Sequence, residues 1–243
     1  MTADAPGPES SPDDDAEHLT DAQRSLRAQM LATEHWSLLA SRSTTQGEVL
    51  TRIAIFITLV SAGLLSLGVL GNVTGFRGWF GVAALGVLFL LTFLGLITLV
   101  RVYNTATEDL MYVVAMNRLR GAYVDLDPGI ERYFLASAND DIVGAQHTYY
   151  SFSARGSGSV VFGSSMMIIT VVTAAVAGLF IGGIAIGLNA AVWLAVALGI
   201  VAGLALLVGA ILRGYRMYLH VWRTHVPLRT SCSPRARAAW VTC

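Results

Sequence analysis

The chain has 243 residues, of which 54% are hydrophobic and 13% charged, and its mean hydropathy is +0.60. Soluble domains carry about 25% charged residues, so this composition excludes an ordinary soluble domain and indicates a membrane protein. The formal net charge is zero, but the charges are segregated: seven acids lie among the first 21 residues, and no acid follows Asp141. This balance gives no reason to expect a nucleic-acid partner.

The N-terminal region divides into an acidic tail and a helix. Residues 1–18 are rich in Pro, Asp and Ser, and we expect them to be disordered because they offer little apolar surface to bury. Residues 19–47 are predicted to form a cytoplasmic amphipathic helix that opens with a capping box of Thr20 and Gln23. Ser43–Gly47 is expected to loosen this helix before the membrane.

Four apolar runs follow, each of 21 to 23 residues: Val49–Leu70, Phe80–Val100, Ser165–Gly187 and Ala190–Leu212. A helix of about 20 apolar residues crosses roughly 30 Å of hydrocarbon, so each run is predicted to span the membrane. The first transmembrane hairpin occupies residues 48–100 and the second 165–212. Their connections are short, and Leu188-Asn189 is predicted to turn the second hairpin.

The arginines predict the orientation of these spans. Residues 22–52, 101–164 and 213–243 carry four, five and six arginines, whereas the 71–79 loop carries only Arg77. Because cytoplasmic loops retain the excess of basic residues, both termini and the central segment are predicted to be cytoplasmic. All 16 basic residues are arginine, which with the many small apolar residues indicates a high-GC bacterial genome and a cytoplasmic (inner) membrane.

The central segment, residues 101–164, is predicted to be a cytoplasmic helical segment. Glu108–Val124 has the composition of a helix. Asp127 followed by Pro128 is typical of an N-cap and a first helical position, and predicts a second helix over Pro128–Ala138.

Adjacent carboxylates at Asp140 and Asp141 are interpreted as a solvated turn. A metal site that these two residues share with His147 is the alternative, although no metal-binding spacing supports it. No nucleophile is paired with a His and an acid, so the chain is predicted not to be an enzyme, and no cofactor or metal site is expected. Cys232 and Cys243, in the polar tail, are interpreted as free thiols.

The third and fourth spans carry small residues at intervals of four. Such stripes let helix backbones approach closely, which gains dispersion contacts that lipid cannot match. The stripe therefore predicts packing within the second hairpin or self-association between subunits. Its members are Ala174, Gly178 and Gly182 in the third span and Ala191, Ala195, Gly199 and Gly203 in the fourth.

The first span carries polar and small residues on one side. In an oligomer this side would line a water-filled pore, or the hydroxyls would instead bond to their own helix. The candidate pore-lining residues are Thr51, Thr58, Ser61, Ala62 and Ser66.

After the fourth span, residues 213–243 form a basic and aromatic tail. At the start of this tail, Arg213, Arg216, His220 and Arg223 share one helical face, and aromatic residues occupy another. This pattern favours contact with anionic lipid headgroups. A phosphate- or nucleotide-binding surface is the alternative, since arginine binds phosphate in a bidentate manner.

Three segments carry a family resemblance: Glu34–Ser43, Met116–Tyr123 and the aromatic stretch that ends at Asp140-Asp141. They resemble uncharacterised actinobacterial multi-pass membrane proteins. More distantly, residues 20–125, a helix that leads into a two-helix hairpin, resemble the SLATT and Pycsar-type two-helix membrane effectors. That resemblance implies a membrane part that forms pores or disrupts the membrane when a sensor is triggered.

These observations predict an all-α polytopic membrane protein of two transmembrane hairpins joined by a cytoplasmic helical segment. Membrane lipid and further copies of the chain are the expected partners. The leading hypothesis is a non-enzymatic pore-forming or membrane-disrupting effector that acts as an oligomer. The alternative is an accessory or scaffold subunit that docks a cytoplasmic protein, and a nucleotide ligand remains a hypothesis for the tail.

Overall fold

A computed structural model describes residues 20–151 and 164–231, and these residues form helices and connecting turns without any strand. The predicted acidic tail and both cysteines lie outside the described residues. The described residues contain five α-helices and one 3₁₀ helix, in chain order α1 Asp21–Thr74, α2 Phe80–Leu126, the 3₁₀ helix Pro128–Tyr133, α3 Ile142–Tyr149, α4 Ser165–Gly187 and α5 Val192–Thr224.

Four of these helices, α1, α2, α4 and α5, are long and apolar enough to cross a membrane. Their large aliphatic and aromatic side chains are widely exposed, including Leu65, Val82 and Trp193. A soluble protein rarely exposes such a continuous apolar surface, whereas lipid tails would cover it. The predictions of an all-helical chain and of four membrane-length helices are therefore confirmed.

Helix α1 begins as predicted and continues further than predicted. The Gln23 amide N–H donates to the Thr20 hydroxyl (3.3 Å), and the Thr20 N–H donates to Gln23 Oε1 (2.9 Å), which completes the capping box. The predicted loosening at Ser43–Gly47 is wrong, because α1 is continuous there. Arg42 and Gln46 both donate to the carboxylate of Asp109 on α2, at 2.6 Å each, and hold this stretch as helix.

The end of α1 is a glycine cap. Gly75 has φ +62°, and the N–H of Phe76 donates to the carbonyl of Gly71 at 2.9 Å. This is the Schellman arrangement, in which a left-handed residue just past the helix satisfies its last carbonyls. The helix therefore ends at Thr74 and not at Leu70, where the apolar run stops.

The described residues divide into two compact units. The apolar unit comprises residues 42–110 and 164–225, and the polar unit comprises residues 20–41, 111–151 and 226–231. In the apolar unit, α1, α2 and α4 meet at Gly95, where a Cβ would lie 2.8 Å from both the Phe56 ring and Thr173 Oγ1. The Tyr103 hydroxyl donates to the Ala210 carbonyl at 2.6 Å and ties α2 to α5.

In the polar unit, the short helix after Asp127 is smaller than predicted. Asp127 accepts from the Gly129 N–H at 2.9 Å and caps the helix as predicted, but the helix is 3₁₀ and ends at Tyr133, well before Ala138. Beyond it, the backbone N–H of Ser137 donates to the Thr148 hydroxyl at 3.1 Å. A side-chain oxygen thus satisfies a backbone N–H that would otherwise bond to a carbonyl in a longer helix.

Candidate functional site

Asp140 is the centre of a buried cluster of polar side chains. Its side chain is fully buried, and its Oδ2 atom accepts from Arg118 Nε at 2.6 Å. The backbone N–H groups of Leu228 and Arg229 also donate to this carboxylate, at 3.1 and 2.8 Å. A buried carboxylate is tolerated only when it is paired in this way. The interpretation of Asp140-Asp141 as a solvated turn is therefore wrong for Asp140.

Asp141, the residue after Asp140, both caps α3 and binds Ser231. It is the N-cap of α3, because its Oδ1 atom accepts from the Gly144 N–H at 2.8 Å. The same carboxylate accepts from the N–H and the hydroxyl of Ser231, at 2.6 and 2.8 Å. Gly144 has no Cβ, and one placed there would overlap the carbonyl oxygen of Asn139. The sequence Asn-Asp-Asp-Ile-Val-Gly thus sets the turn and the helix start together.

Asn117 on α2 connects the turn to α3. Its side chain is fully buried, and its Nδ2 atom donates to the carbonyl of Asn139 at 2.9 Å. Its Oδ1 atom accepts from the Thr148 hydroxyl (2.9 Å) and from Arg120 Nη1 (2.8 Å). A buried amide with both ends bonded fixes one arrangement of its neighbours, because any other would leave it unpaired.

The segment Val226–Ser231, here named the strap, packs on this cluster. Arg118 Nη2 donates to the Val226 carbonyl at 2.8 Å, and the Asp140 N–H donates to the Arg229 carbonyl at 3.2 Å. The Arg229 guanidinium forms an ion pair with Asp125 on α2. The strap is therefore held by main-chain hydrogen bonds, by the Ser231 hydroxyl on Asp141 and by one ion pair.

The pKa of the Asp140 carboxyl reflects these contacts. Burial acts to raise this pKa, but the backbone N–H of Arg229, the Arg118 guanidinium and the backbone N–H of Leu228 outweigh it. Their hydrogen bonds hold the pKa of Asp140 below its ordinary value. The carboxylate is thus charged at neutral pH and available as an acceptor.

A cleft of about 350 Å³ opens beside the strap. The residues that line it include Glu131, Phe134, His147 and, from the strap, Ser231. Among residues 20–151 and 164–231, no three His, Cys, Asp or Glu side chains are grouped as they would be to hold a metal ion. The oxygens of Asp140 are already occupied by protein donors, so a metal shared with His147 does not fit.

No local signal in the sequence points to this cluster. The residues that donate to Asp140 and Asp141 from the strap lie 88 to 90 positions away along the chain. Two neighbouring acids before a helix are typical of a cap, but the sequence pattern predicts only a solvated turn at these residues. The burial of Asp140 depends on the distant strap and could not be read from its neighbours.

The candidate pore-lining residues lie together on the exposed side of α1. This side is opposite the one that buries Val49, Phe56 and Val60. Each hydroxyl donates to the carbonyl four residues before it, at 2.8 to 3.0 Å. The five residues Thr51, Thr58, Ser61, Ala62 and Ser66 are all exposed.

Most of the predicted small-residue stripe forms a close seam between α4 and α5. A Cβ on Gly178 would lie 2.6 Å from the Gly199 carbonyl oxygen, and the converse distance is also 2.6 Å. The seam continues from Gly182 to Ala195 and from Gly203 to Ala174. Ala191 is not in it, since it is the exposed N-cap of α5.

The four basic residues of the predicted lipid or phosphate surface lie in the last part of α5, and all are exposed: Arg213, Arg216, His220 and Arg223. Among the aromatic residues beside them, Trp222 contacts Tyr218 edge to face, with ring centroids 6.2 Å apart. This combination of exposed arginines and aromatic rings suits the headgroup region of a bilayer.

Comparison of the chain with protein families, with characterised proteins and with solved structures finds no match. The inferences below therefore depend on the geometry of this chain.

Proposed function

We propose that this chain is a non-enzymatic scaffold subunit of a bacterial cytoplasmic membrane that docks a partner protein on its polar unit. The observation that carries the proposal is the buried polar cluster around Asp140 and Asn117. Burying such groups costs free energy unless every one is paired, so a chain gains from them mainly a single fixed arrangement of a surface. Anchoring in a membrane alone requires no such surface.

The proposed topology has two transmembrane hairpins, with both termini and the polar unit in the cytoplasm. The arginine distribution supports it, and so does the antiparallel seam of α4 and α5. Reporter fusions after Gly75 and after Asp141 test this topology. We expect an external signal at Gly75 and an internal signal at Asp141, and an external signal at Asp141 would reject the four-span arrangement.

The basic end of α5 is proposed to contact anionic lipid. Its support is the joint exposure of arginines and aromatic residues over the last turns of the helix. Replacement of Arg213, Arg216 and Arg223 by glutamine should reduce the anionic lipid that remains bound in native mass spectra. If instead the variant loses affinity for a free nucleotide and keeps its lipid, the phosphate-binding alternative would be correct.

The second candidate function is an oligomeric pore-forming or membrane-disrupting effector. The observation that favours it is the outward position of Thr51, Thr58 and Ala62 on α1. Copies assembled with these faces toward a common axis would present hydroxyls and small side chains to that axis. The resemblance of residues 20–125 to two-helix effectors points the same way.

Oligomeric order and thiol reactivity separate the two functions. A monomer or small dimer in lipid nanodiscs supports the scaffold, whereas a ring supports the effector. In a background without Cys232 and Cys243, Thr58→Cys should then react with a water-soluble thiol reagent only in the ring, because the thiolate requires water. Leu59→Cys is the matched control, since it lies one residue round the same helix. Equal inertness of both variants would leave the scaffold proposal in place.

A further inference from the structure

The strap is recognised through its main chain. The N–H groups of Leu228 and Arg229 donate to Asp140, and the Arg229 carbonyl accepts from the Asp140 N–H. The Val226 carbonyl accepts from Arg118. Any extended peptide offers these groups, which is the basis on which many peptide-binding proteins obtain affinity.

The apolar side chains of the strap contribute little to its position. Val226 and Leu228 remain 76% and 77% exposed. Hydrophobic burial therefore does not explain why the segment is ordered where it is. The polar contacts therefore determine the position of the strap.

Two side chains of the strap also bond specifically to acids on α2 and at the start of α3. The Arg229 guanidinium pairs with Asp125, and the Ser231 hydroxyl donates to Asp141 at 2.8 Å. The side chains that bond to the strap are three acids, Asp125, Asp140 and Asp141, and one arginine, Arg118. Together these four groups carry a formal charge of −2, which favours a cationic segment with the pattern Arg-x-Ser.

We propose that Arg118, Asp125, Asp140 and Asp141 form a binding site for an extended Arg-x-Ser peptide of a partner protein. The strap occupies this site in cis and competes with that peptide. The inference rests on the proposed scaffold function and deepens it, because it gives the chemistry of the docked partner. A tethered segment acts at an effective concentration of about 1 mM, so an external peptide binds weakly until the strap is released.

The test measures the binding of a fluorescein-labelled, capped peptide with the sequence of residues 225–231 to the full chain in nanodiscs. In the vacated variant, proline replaces Leu228, Arg229 and Ser231 at the same chain length. Proline has no N–H, so these main-chain donors to Asp140 and Asp141 are lost together with the Arg229 and Ser231 side chains. We expect the vacated variant to bind the peptide saturably and about tenfold or more tightly than the unaltered chain does, because the cis competitor is gone. Asp140→Asn in the vacated variant should weaken binding by about tenfold, since a charged acceptor of three donors is lost.

Two altered peptides supply the matched controls. Alanine at the position of Arg229 should weaken binding by about fivefold, because the pair with Asp125 is lost. Alanine at the positions of both Val226 and Leu228 should change binding by less than about twofold, since these side chains are exposed. If the second peptide loses more affinity than the first, the site reads apolar side chains and the proposal is wrong.

A vacated variant that keeps its helical circular dichroism but binds no peptide would overturn the inference. So would binding that ignores Asp140→Asn. If the vacated variant does not fold, the full chain with Arg229→Ala and Ser231→Ala replaces it; that variant must bind the peptide more tightly than the unaltered chain, or the site is rejected. A chain that stays monomeric and binds no peptide would keep the scaffold function and lose only this site. Ring assembly together with peptide binding would reject the scaffold function and keep this site.

Discussion

The α4–α5 seam and the Asp140 cluster both bring segments of main chain together, and they do so by opposite chemistry. In the seam, Gly178 and Gly199 allow contact because they carry no side chain. In the cluster, the carboxylate of Asp140 lies between the turn and the strap and binds main-chain N–H groups directly. The seam depends on two glycines that lack a Cβ atom, and the cluster depends on the negative charge of a carboxylate.

This difference predicts how each region fails. Lipid offers apolar side chains nearly the same environment as a neighbouring helix, so the seam is stabilised by close packing and fails when bulk separates the helices. The cluster fails when one partner is removed, because the charges and N–H groups that remain are left unpaired. Substitutions that leave size unchanged should spare the first and damage the second.

Bulk in the seam should have the largest effect. Gly199→Leu would force carbon against the Gly178 carbonyl, and we expect it to lower the free energy of unfolding by about 3 kcal/mol. Gly209→Leu is the control, because it lies on the same helix with no atom near its would-be Cβ. Thermal unfolding in detergent measures both variants. If both variants lose the same stability, α5 tolerates leucine at neither position, and close packing in the seam does not explain the loss at Gly199.

Loss of charge in the cluster should come next. Asp140→Asn keeps the size of the side chain but removes the charged acceptor, and should cost about 2 kcal/mol. The cost stays moderate because the Arg118 side chain is 38% exposed and regains water. Asp125→Asn also removes an ion pair with the strap, but its carboxylate is 59% exposed, so it should cost less than about 1 kcal/mol. Hydrogen exchange of the α3 amides reports on both.

The two regions also show how far the sequence leads. The seam follows from small residues at intervals of four, and the caps at Thr20 and Asp127 follow from residues within three positions of them. These features are local. The continuity of α1 through Ser43–Gly47 needs Asp109, 67 positions away from Arg42, and Asp140 needs the strap. A pairing at such a distance leaves no periodic pattern, so the sequence predicts a loosened helix in the first case and a solvated turn in the second.

Acid should weaken the cluster and spare the seam. The pKa of Asp140 in the folded chain lies below its ordinary value of 3.8, so its contribution to stability is complete above that value. It is lost as the pH falls through the lower folded pKa, because the unfolded chain then binds the proton more readily. The difference in stability between the unaltered chain and Asp140→Asn should therefore stay constant from neutral pH to about pH 5. It should shrink below about pH 4, and a difference that instead grew in acid would mean that the carboxyl is protonated in the fold.

The smallest effect is expected on the outward face of α1, which resembles the seam in sequence but not in contact. Ala54, Thr58 and Ala62 repeat the interval of four, yet all three are exposed. Thr58→Val removes a hydroxyl that bonds only to the Ala54 carbonyl, at 2.9 Å, and should change the free energy of unfolding by less than about 0.5 kcal/mol.

The opposite change on the buried face, Val60→Thr, should cost about 1 kcal/mol because it places a hydroxyl in the core. Thermal unfolding of both variants, in nanodiscs at a fixed protein concentration, makes the comparison. If Thr58→Val proves as costly as Val60→Thr, the outward face is packed against another copy of the chain and is a second seam. Small residues at that interval would then form contacts both within the chain and between copies of it. An assembly around an axis requires a stripe that packs between copies. That result would therefore favour the oligomeric effector over the scaffold.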